Sequence, residues 1–548
     1  MSSKIARATP YRNTYWWLPG GVALLALMLL VVLPLWALIG QVSDIPFATT
    51  LQTPYVRHVI HFSLWQASLS TLLSVGLAIP LAVALARQAH FPGRRALLRL
   101  FSVSFILPSI VAVYGIIAVF GQRGWFSQGL AWLGATDGWP SLYGLDGILL
   151  AHVFFNLPLS TRILLQSIET IPPEQWRLAS QLGMRAGNSL RLVQWPVIKA
   201  ALPGLALLVF ALCFTSFTVV MALGGGPRAT TIEVAIYQAL RFDFALDTAA
   251  ALAIVQLLLC GGLFLLTTRF SQTPDLTASR GMRFTRHDGA PRLIKTLDFS
   301  LIGTAAALVC LPLLAVAAAG LSPVLPDVVF DRQFGLAAVA TLAISLGAGL
   351  LCVALAYALL LSSVHLRVRT HHSRSGKLLA LGGSLILVVP PLVLGTGLFL
   401  LLRRYTDVFA LAVPLTLLVN ALMGLPFAIR ILEGPMLAHA RLHDRNCAAL
   451  GIQGLQRWRW IDWPTLRPAV GLALAVCATL AAGDLTVIAL FGSQDIRTLP
   501  LLLYQRMGAY QMQEAAVTAL LLLAYCLVLF TTLESLVGRP RGARYADT

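Results

Sequence analysis

Charge is scarce in this sequence. Asp, Glu, Lys and Arg make up 11% of its 548 residues, where a soluble globular chain carries about 25%. With 58% hydrophobic residues and a mean hydropathy of +0.80, this scarcity excludes an ordinary water-soluble domain and makes lipid the solvent for most of the chain. Cysteine is also sparse. Six of the seven (Cys213, Cys260, Cys310, Cys352, Cys477 and Cys526) fall inside apolar runs. They form no disulfide framework or zinc spacing and read as small core residues. No G-x-x-x-x-G-K-[ST] motif occurs, Gly376-Lys377 being followed by Leu with no partner glycine upstream, so any nucleotide hydrolysis must come from another chain. His, Cys and carboxylates are not clustered at catalytic spacing. Neither an enzyme nor a resident cofactor or metal is expected.

Long apolar runs recur instead, each near the ~20 residues that a helix needs to cross a bilayer. Bounded by charges, Pro or Gly, they predict helices over 18–40, 62–86, 100–121, 143–166, 198–223 and 247–268, then over 297–320, 336–362, 378–402, 408–432, 466–491 and 513–535. The expected fold is all-α and polytopic, with about 12 transmembrane helices. The basic stretch Lys4, Arg7, Arg12 precedes the first run. That run is too long for a secretory h-region and reads as the first spanning helix.

The formal charge of +18 raises the question of nucleic-acid binding, which the placement of the basic residues answers. With the N-terminus cytoplasmic, 31 of the 40 Lys and Arg fall on the cytoplasmic side, whereas the 22 acidic residues split 10 to 12. The bias is specific to positive charge, as membrane topology requires. Both termini are expected in the cytoplasm and no nucleic acid is expected as a partner.

An internal repeat divides the chain. At an offset of 268, eleven of the forty positions from 157 to 196 are identical, including Pro158/Pro426, Arg162/Arg430, Gly183/Gly451, Trp195/Trp463 and Pro196/Pro464; chance predicts about 4 in Leu-rich sequence. The expected organisation is a first six-helix half over 1–268, a cytoplasmic linker over 269–296 and a second half over 297–548. An even helix number per half presents the same loop of each to the cytoplasm. The most repeat-like segment is that loop, about 170–196 in the first half and 438–464 in the second. Connecting loops ordinarily diverge, so the similarity points to a function. In the first loop Trp176, Ala179, Leu182 and Ala186 share a helical spacing, predicting a short amphipathic helix ended or bent by Gly183.

These loops resemble the signature of permeases of binding-protein-dependent ATP-binding-cassette importers: Glu-Ala-Ala, a Gly shortly after, and a Pro thirteen residues beyond. Gly183/Pro196 and Gly451/Pro464 keep that spacing, while the family Glu falls on Arg177 and Arg445, and the two Ala positions on Leu178-Ala179 and Asn446-Cys447. The resemblance implies the type I (MetI-like) importer fold and a coupling helix in each loop that docks on an ATPase subunit. Glu174, Arg177, Ala179, Gly183, Pro196, Arg445, Cys447, Gly451 and Pro464 are the candidate coupling residues. Three segments, YGLDGILLAHVFFNLPLSTRILLQSIETIP, LGGGPRATTIEVAIYQAL and DIRTLPLLLYQ, are similar to thiamine permeases of Gram-negative bacteria. That narrower resemblance implies an inner-membrane subunit moving thiamine and its phosphates, a periplasmic binding protein and two ATPase copies. Ferric-iron permeases are duplicated in the same way, and a secondary transporter is the alternative of another class.

Among the polar residues within apolar runs, Asp484 stands out, because an intramembrane carboxylate is costly and usually faces a partner or a pathway. It is a candidate pathway residue, against the plainer reading that it caps a helix. His152, Asn156, Gln256 and Asn420 are expected to hydrogen-bond between helices. His371-His372 reads as a solvated pair, and Gly224-Gly225-Gly226-Pro227 as a turn.

Overall fold

The computed structural model describes residues 17–42, 47–104, 107–132, 134, 141–270, 291–368, 372–452, 454–493 and 496–538. The basic N-terminal segment, His371 and most of the 269–296 linker lie outside them. The described secondary structure is helical throughout. Among the described residues eleven helical stretches are long and apolar enough to cross a membrane, and one further apolar helix, Pro391–Leu402, is short.

In chain order the elements that matter below are α1 (Leu18–Val42), α2 (Pro54–Arg87), α3 (Arg94–Val103), α4 (Ser109–Phe120), α5 (Leu145–Glu169), α6 (Pro173–Gln181), α7 (Trp195–Phe214), α8 (Phe217–Leu223), α9 (Ile232–Arg241) and α10 (Leu246–Phe270). They are followed by α11 (Arg292–Gly320), α12 (Arg332–Val368), α13 (Ser373–Ser384), α14 (Pro391–Leu402), α15 (Ala412–Ala449), α16 (Trp463–Ala482), α17 (Thr486–Phe491), α18 (Leu499–Gly508) and α19 (Met512–Gly538).

Four of the expected helices are interrupted. The run over 100–121 divides between α3 and α4, which starts just after Pro108; the run over 378–402 divides among α13, a 3-10 turn at Leu385–Val388 and α14, which starts at Pro391. Proline has no N–H to continue a helix and turns the preceding residue away from helical geometry. Hydropathy averages over such a break, which is why twelve runs yield eleven long helices. The runs over 198–223 and 466–491 are likewise cut, at Thr215-Ser216 and at Gly483 to Leu485. In the opposite direction, the expected loop from 438 begins as helix, because α15 continues without interruption to Ala449.

The first helices of the two halves of the chain pack crosswise. Helix α1 lies on α12 and α14, and α11 lies on α2 and α4. Matched glycines permit these contacts: a Cβ on Gly115 of α4 would stand 2.5 Å from the Pro312 carbonyl oxygen of α11, and one on Gly397 of α14 would stand 2.5 Å from that of Pro34 in α1. Close approach through small residues is how helices associate where no water drives them together. The short helices α9 and α18 are anchored alike. The Ile232 N–H donates to Ser63 Oγ (2.9 Å) on α2, and the Leu499 N–H donates to Thr341 Oγ1 (2.9 Å) on α12. Each bond satisfies an orphan donor at a buried helix start.

Candidate functional site

The loop around Gly183 begins with α6. Pro173 occupies its first turn, where the missing N–H is harmless, and Glu174 places negative charge at the positive end of the helix. Trp176 and Ala179 are buried, while Glu174 and Arg177 are exposed. Leu182 departs from the expected amphipathic face: it is 63% exposed, beside Leu178 at 56%. The helix stops at Gln181, so residue 182 no longer follows the helical angular step, and Ala186 opens a separate turn, Ala186–Ser189.

Gly183 ends α6 in the left-handed region, at φ +62°, with the Met184 N–H closing onto the Ala179 carbonyl at 3.0 Å. Gly451 does the same for α15, at φ +67°, with the Ile452 N–H on the Cys447 carbonyl at 3.0 Å. Only glycine adopts this conformation without strain. Arg445 is exposed, Cys447 is buried and Leu450 is 73% exposed. A π-helical turn then precedes each Trp-Pro pair, at Leu190–Gln194 before Trp195-Pro196 and at Trp458–Asp462 before Trp463-Pro464. A proline ring clashes with the carbonyl four residues back, and a five-residue turn carries that carbonyl away. The Gly-to-Pro spacing thus encodes a helix stop, a wide turn and the restart of a long helix.

Although the backbones correspond, the chemistry holding them does not. In the second loop Arg457 bonds Asp444 and Asp462 (3.2 Å to the latter), and Asp462 also bonds His439 Nε2 at 2.7 Å. Subtracting the repeat offset of 268, these four positions correspond to Ser189, Trp176, Gln194 and Ile171, all buried. One loop is fastened by a partly buried ionic network, and at the matching positions the other buries Trp176 and Ile171 beside the uncharged Ser189 and Gln194. A scan for repeats misses this difference because it scores only identities.

Asp484 lies between α16 and α17. Its Oδ1 accepts from the Thr486 N–H and its Oδ2 from the Val487 N–H, both at 3.2 Å, so it caps the first turn of α17. Asn420 of α15 faces the same carboxylate. The residue before it, Gly483, sits against Pro108 at the start of α4, with its would-be Cβ 3.0 Å from Pro108 Cα. The other polar residues make the expected interhelical bonds. His152 Nδ1 pairs with Ser70 Oγ at 2.8 Å, Asn156 reaches Cys213 of α7, and Gln256 Nε2 donates to Glu233 Oε1 at 2.9 Å. Gly224 to Pro227 forms a turn, with Gly225 and Gly226 at positive φ. Among the described residues no group of three His, Cys, Asp or Glu could hold a metal, and all seven cysteines are free.

The residue that sequence reading overlooks is Glu233. It falls between two predicted spans, in TTIEVAIYQAL, yet it is fully buried on α9. The available signal was a single carboxylate set among apolar residues.

A family profile described as the binding-protein-dependent transport system inner membrane component matches residues 78–272. The chain is similar to the thiamine transport system permease protein ThiP of Escherichia coli, at 45% identity over 532 residues covering 95% of this chain and 97% of that protein. It is similar to ThiP of Brucella abortus at 43% over 531 residues, covering 95% and 96%. A sulfate transport system permease protein, CysT of Salmonella typhimurium, is 28% identical over 249 residues, which cover 45% of this chain but 88% of that protein. With more than two-fifths of its residues shared across nearly its whole length, the chain belongs to the family of thiamine transport system permeases.

Proposed function

We propose that this chain is the transmembrane permease subunit of an ATP-driven importer and forms the route for thiamine and its phosphates. The observation that carries the reading is the 45% identity to the Escherichia coli thiamine permease along 95% of the chain. A periplasmic binding protein delivers the substrate, and two copies of an ATPase subunit, which carry out the hydrolysis, dock on the loops around Gly183 and Gly451. In this reading the short helix α14, with α13 before it, stands as the twelfth membrane element. The chain is then two homologous six-helix halves, 1–268 and 297–548, joined by a cytoplasmic linker. The crosswise packing of α1 and α11 supports it, as does a half-length relative that spans 45% of the chain. Both termini and both loops face the cytoplasm, the side to which 31 of the 40 Lys and Arg are assigned.

Exposed Leu182 and Leu450, at equivalent positions just before the two helix-ending glycines, are the apolar anchors of docking. Glu174, Arg177 and Arg445 rim them, and Ala179 and Cys447 keep the inner face of each helix close-packed. Asp484 borders the pathway where the two halves meet. ATPase dimerisation pulls the two loops together and switches the interface between inward- and outward-open states.

The test is reconstitution in vesicles with the ATPase and binding protein. ATP-dependent accumulation of labelled thiamine, unaffected by excess ferric iron, is the expected result. Accumulation driven by an ion gradient without the ATPase would overturn the reading, and competition by ferric iron would reassign the substrate.

A further inference from the structure

Glu233 is fully buried, and only one of its carboxylate oxygens is bonded: Oε1 accepts from Gln256 Nε2 at 2.9 Å, whereas Oε2 has no partner. The substitution Gln would serve an apolar helix contact at far lower cost, since an unpaired buried carboxylate oxygen loses its hydration with nothing in return. Among the described residues no Lys, Arg or His forms an ion pair with it.

From the other half of the chain, a helix that packs against α9 begins at a second carboxylate, Asp484. Helix α9 packs against α17, and at their C-terminal ends Arg241 donates to the Gly492 carbonyl at 2.7 Å. Asp484 caps the start of α17, the helix on which α9 packs, so the two carboxylates belong to one helix contact and the charge of Asp484 acts on Glu233. The two are not repeat equivalents. At the repeat offset of 267, Asp484 corresponds to Phe217 and Glu233 to Pro500. The negative pair therefore occurs once, on one side of the junction, where α9 and α10 meet α14 and α17.

We infer that Glu233 and Asp484 together form a cation-binding station at the contact between the two halves, one carboxylate from each. An organic cation entering as the halves part supplies the positive charge with which neither carboxylate forms an ion pair among the described residues. The inference rests on the thiamine reading. Thiamine's thiazolium nitrogen is quaternary and carries a fixed positive charge at neutral pH, so the ligand class fits.

The experiment compares wild-type permease with Glu233→Gln, Glu233→Asp, Asp484→Asn and the double variant Glu233→Gln/Asp484→Asn, each assembled with ATPase and binding protein in vesicles. Glu233→Gln is expected to lower thiamine uptake at subsaturating concentration by about tenfold or more, roughly the effect of one lost charge contact. Thiamine diphosphate, whose own phosphates offset the thiazolium charge, should lose several-fold less, a split that a purely structural glutamate does not produce. Glu233→Asp should recover part of the uptake, and the double variant should fall short of the product of the single losses, as for groups acting together. For a variant that fails to assemble, a hydrophobic carbodiimide applied to the wild-type complex gives an independent readout. Thiamine with binding protein and ATP should slow adduct formation at Glu233 several-fold, read by mass spectrometry. Unchanged thiamine uptake in Glu233→Gln, equal losses for both substrates, or labelling indifferent to thiamine overturns the station. Absence of thiamine uptake by the wild type overturns the functional reading and the station with it.

Discussion

Gly183 and Gly451 are the residues on which both loops turn, and the reason is conformational. Their φ values are +62° and +67°, and a Cβ on either would meet nothing within 4 Å, so substitution causes backbone strain without a steric clash. Gly183→Ala and Gly451→Ala should each destabilise the local helix end by about 1 kcal/mol. Hydrogen exchange is the appropriate measurement: the Gly183 and Met184 amides, or the Gly451 and Ile452 amides, should exchange about fivefold faster, while amides within α5 and α12 stay protected. The spacing made these glycines legible in the sequence. Leu182 was legible only as a member of an apolar face, and its exposure follows from where α6 stops.

At the scale of elements, the decisive contacts are those of α1 with α14 and of α11 with α4. Each is closed by a glycine facing a proline carbonyl at a separation that no methyl group tolerates. Gly115→Ala and Gly397→Ala should each cost about 1–3 kcal/mol through overpacking. In detergent, each variant should show a lower unfolding midpoint than wild type. Gly303→Ala on α11, where a Cβ meets nothing within 4 Å, should leave the midpoint unchanged or raised. Equal behaviour of all three variants would show that these crossings do not hold the molecule together. The sequence carries the apolar length of α1 and α11 plainly, but helix periodicity is local and does not say which distant helix covers a face.

For the whole molecule, two loops with one backbone and two chemistries would, in the proposed importer, give the two ATPase subunits unequal contacts. Arg457 links Asp444 and Asp462, with side-chain exposures of 14%, 13% and 18%, an intermediate burial at which losing the cation costs about 2–3 kcal/mol. Arg457→Met should loosen the second loop and leave the first, packed around Trp176 and Ile171, intact. At limiting ATPase concentration the complex should then retain close to one ATPase per permease in place of two, as read by native mass spectrometry. Loss of both ATPases together would show that the loops are not independent. The thiamine and cation-station experiments belong to this scale as well, because each reads transport by the assembled importer.

The sequence by itself determined the lipid environment, the all-helical class, the approximate spans and the two glycine-to-proline loops, since each follows from local hydropathy or from the backbone limits of Gly and Pro. Asp484 was visible for the same reason, as a charge within an apolar run. Tertiary structure alone decided the breaks beside Pro108 and Pro390-Pro391, the continuation of α15 to Ala449, the outward turn of Leu182 and the different fastenings of the two loops. It also decided that the helix of Glu233 packs on the helix that Asp484, 251 residues away, caps. Burial and charge proximity depend on which distant segment is packed alongside, and a one-dimensional pattern holds no record of that neighbour.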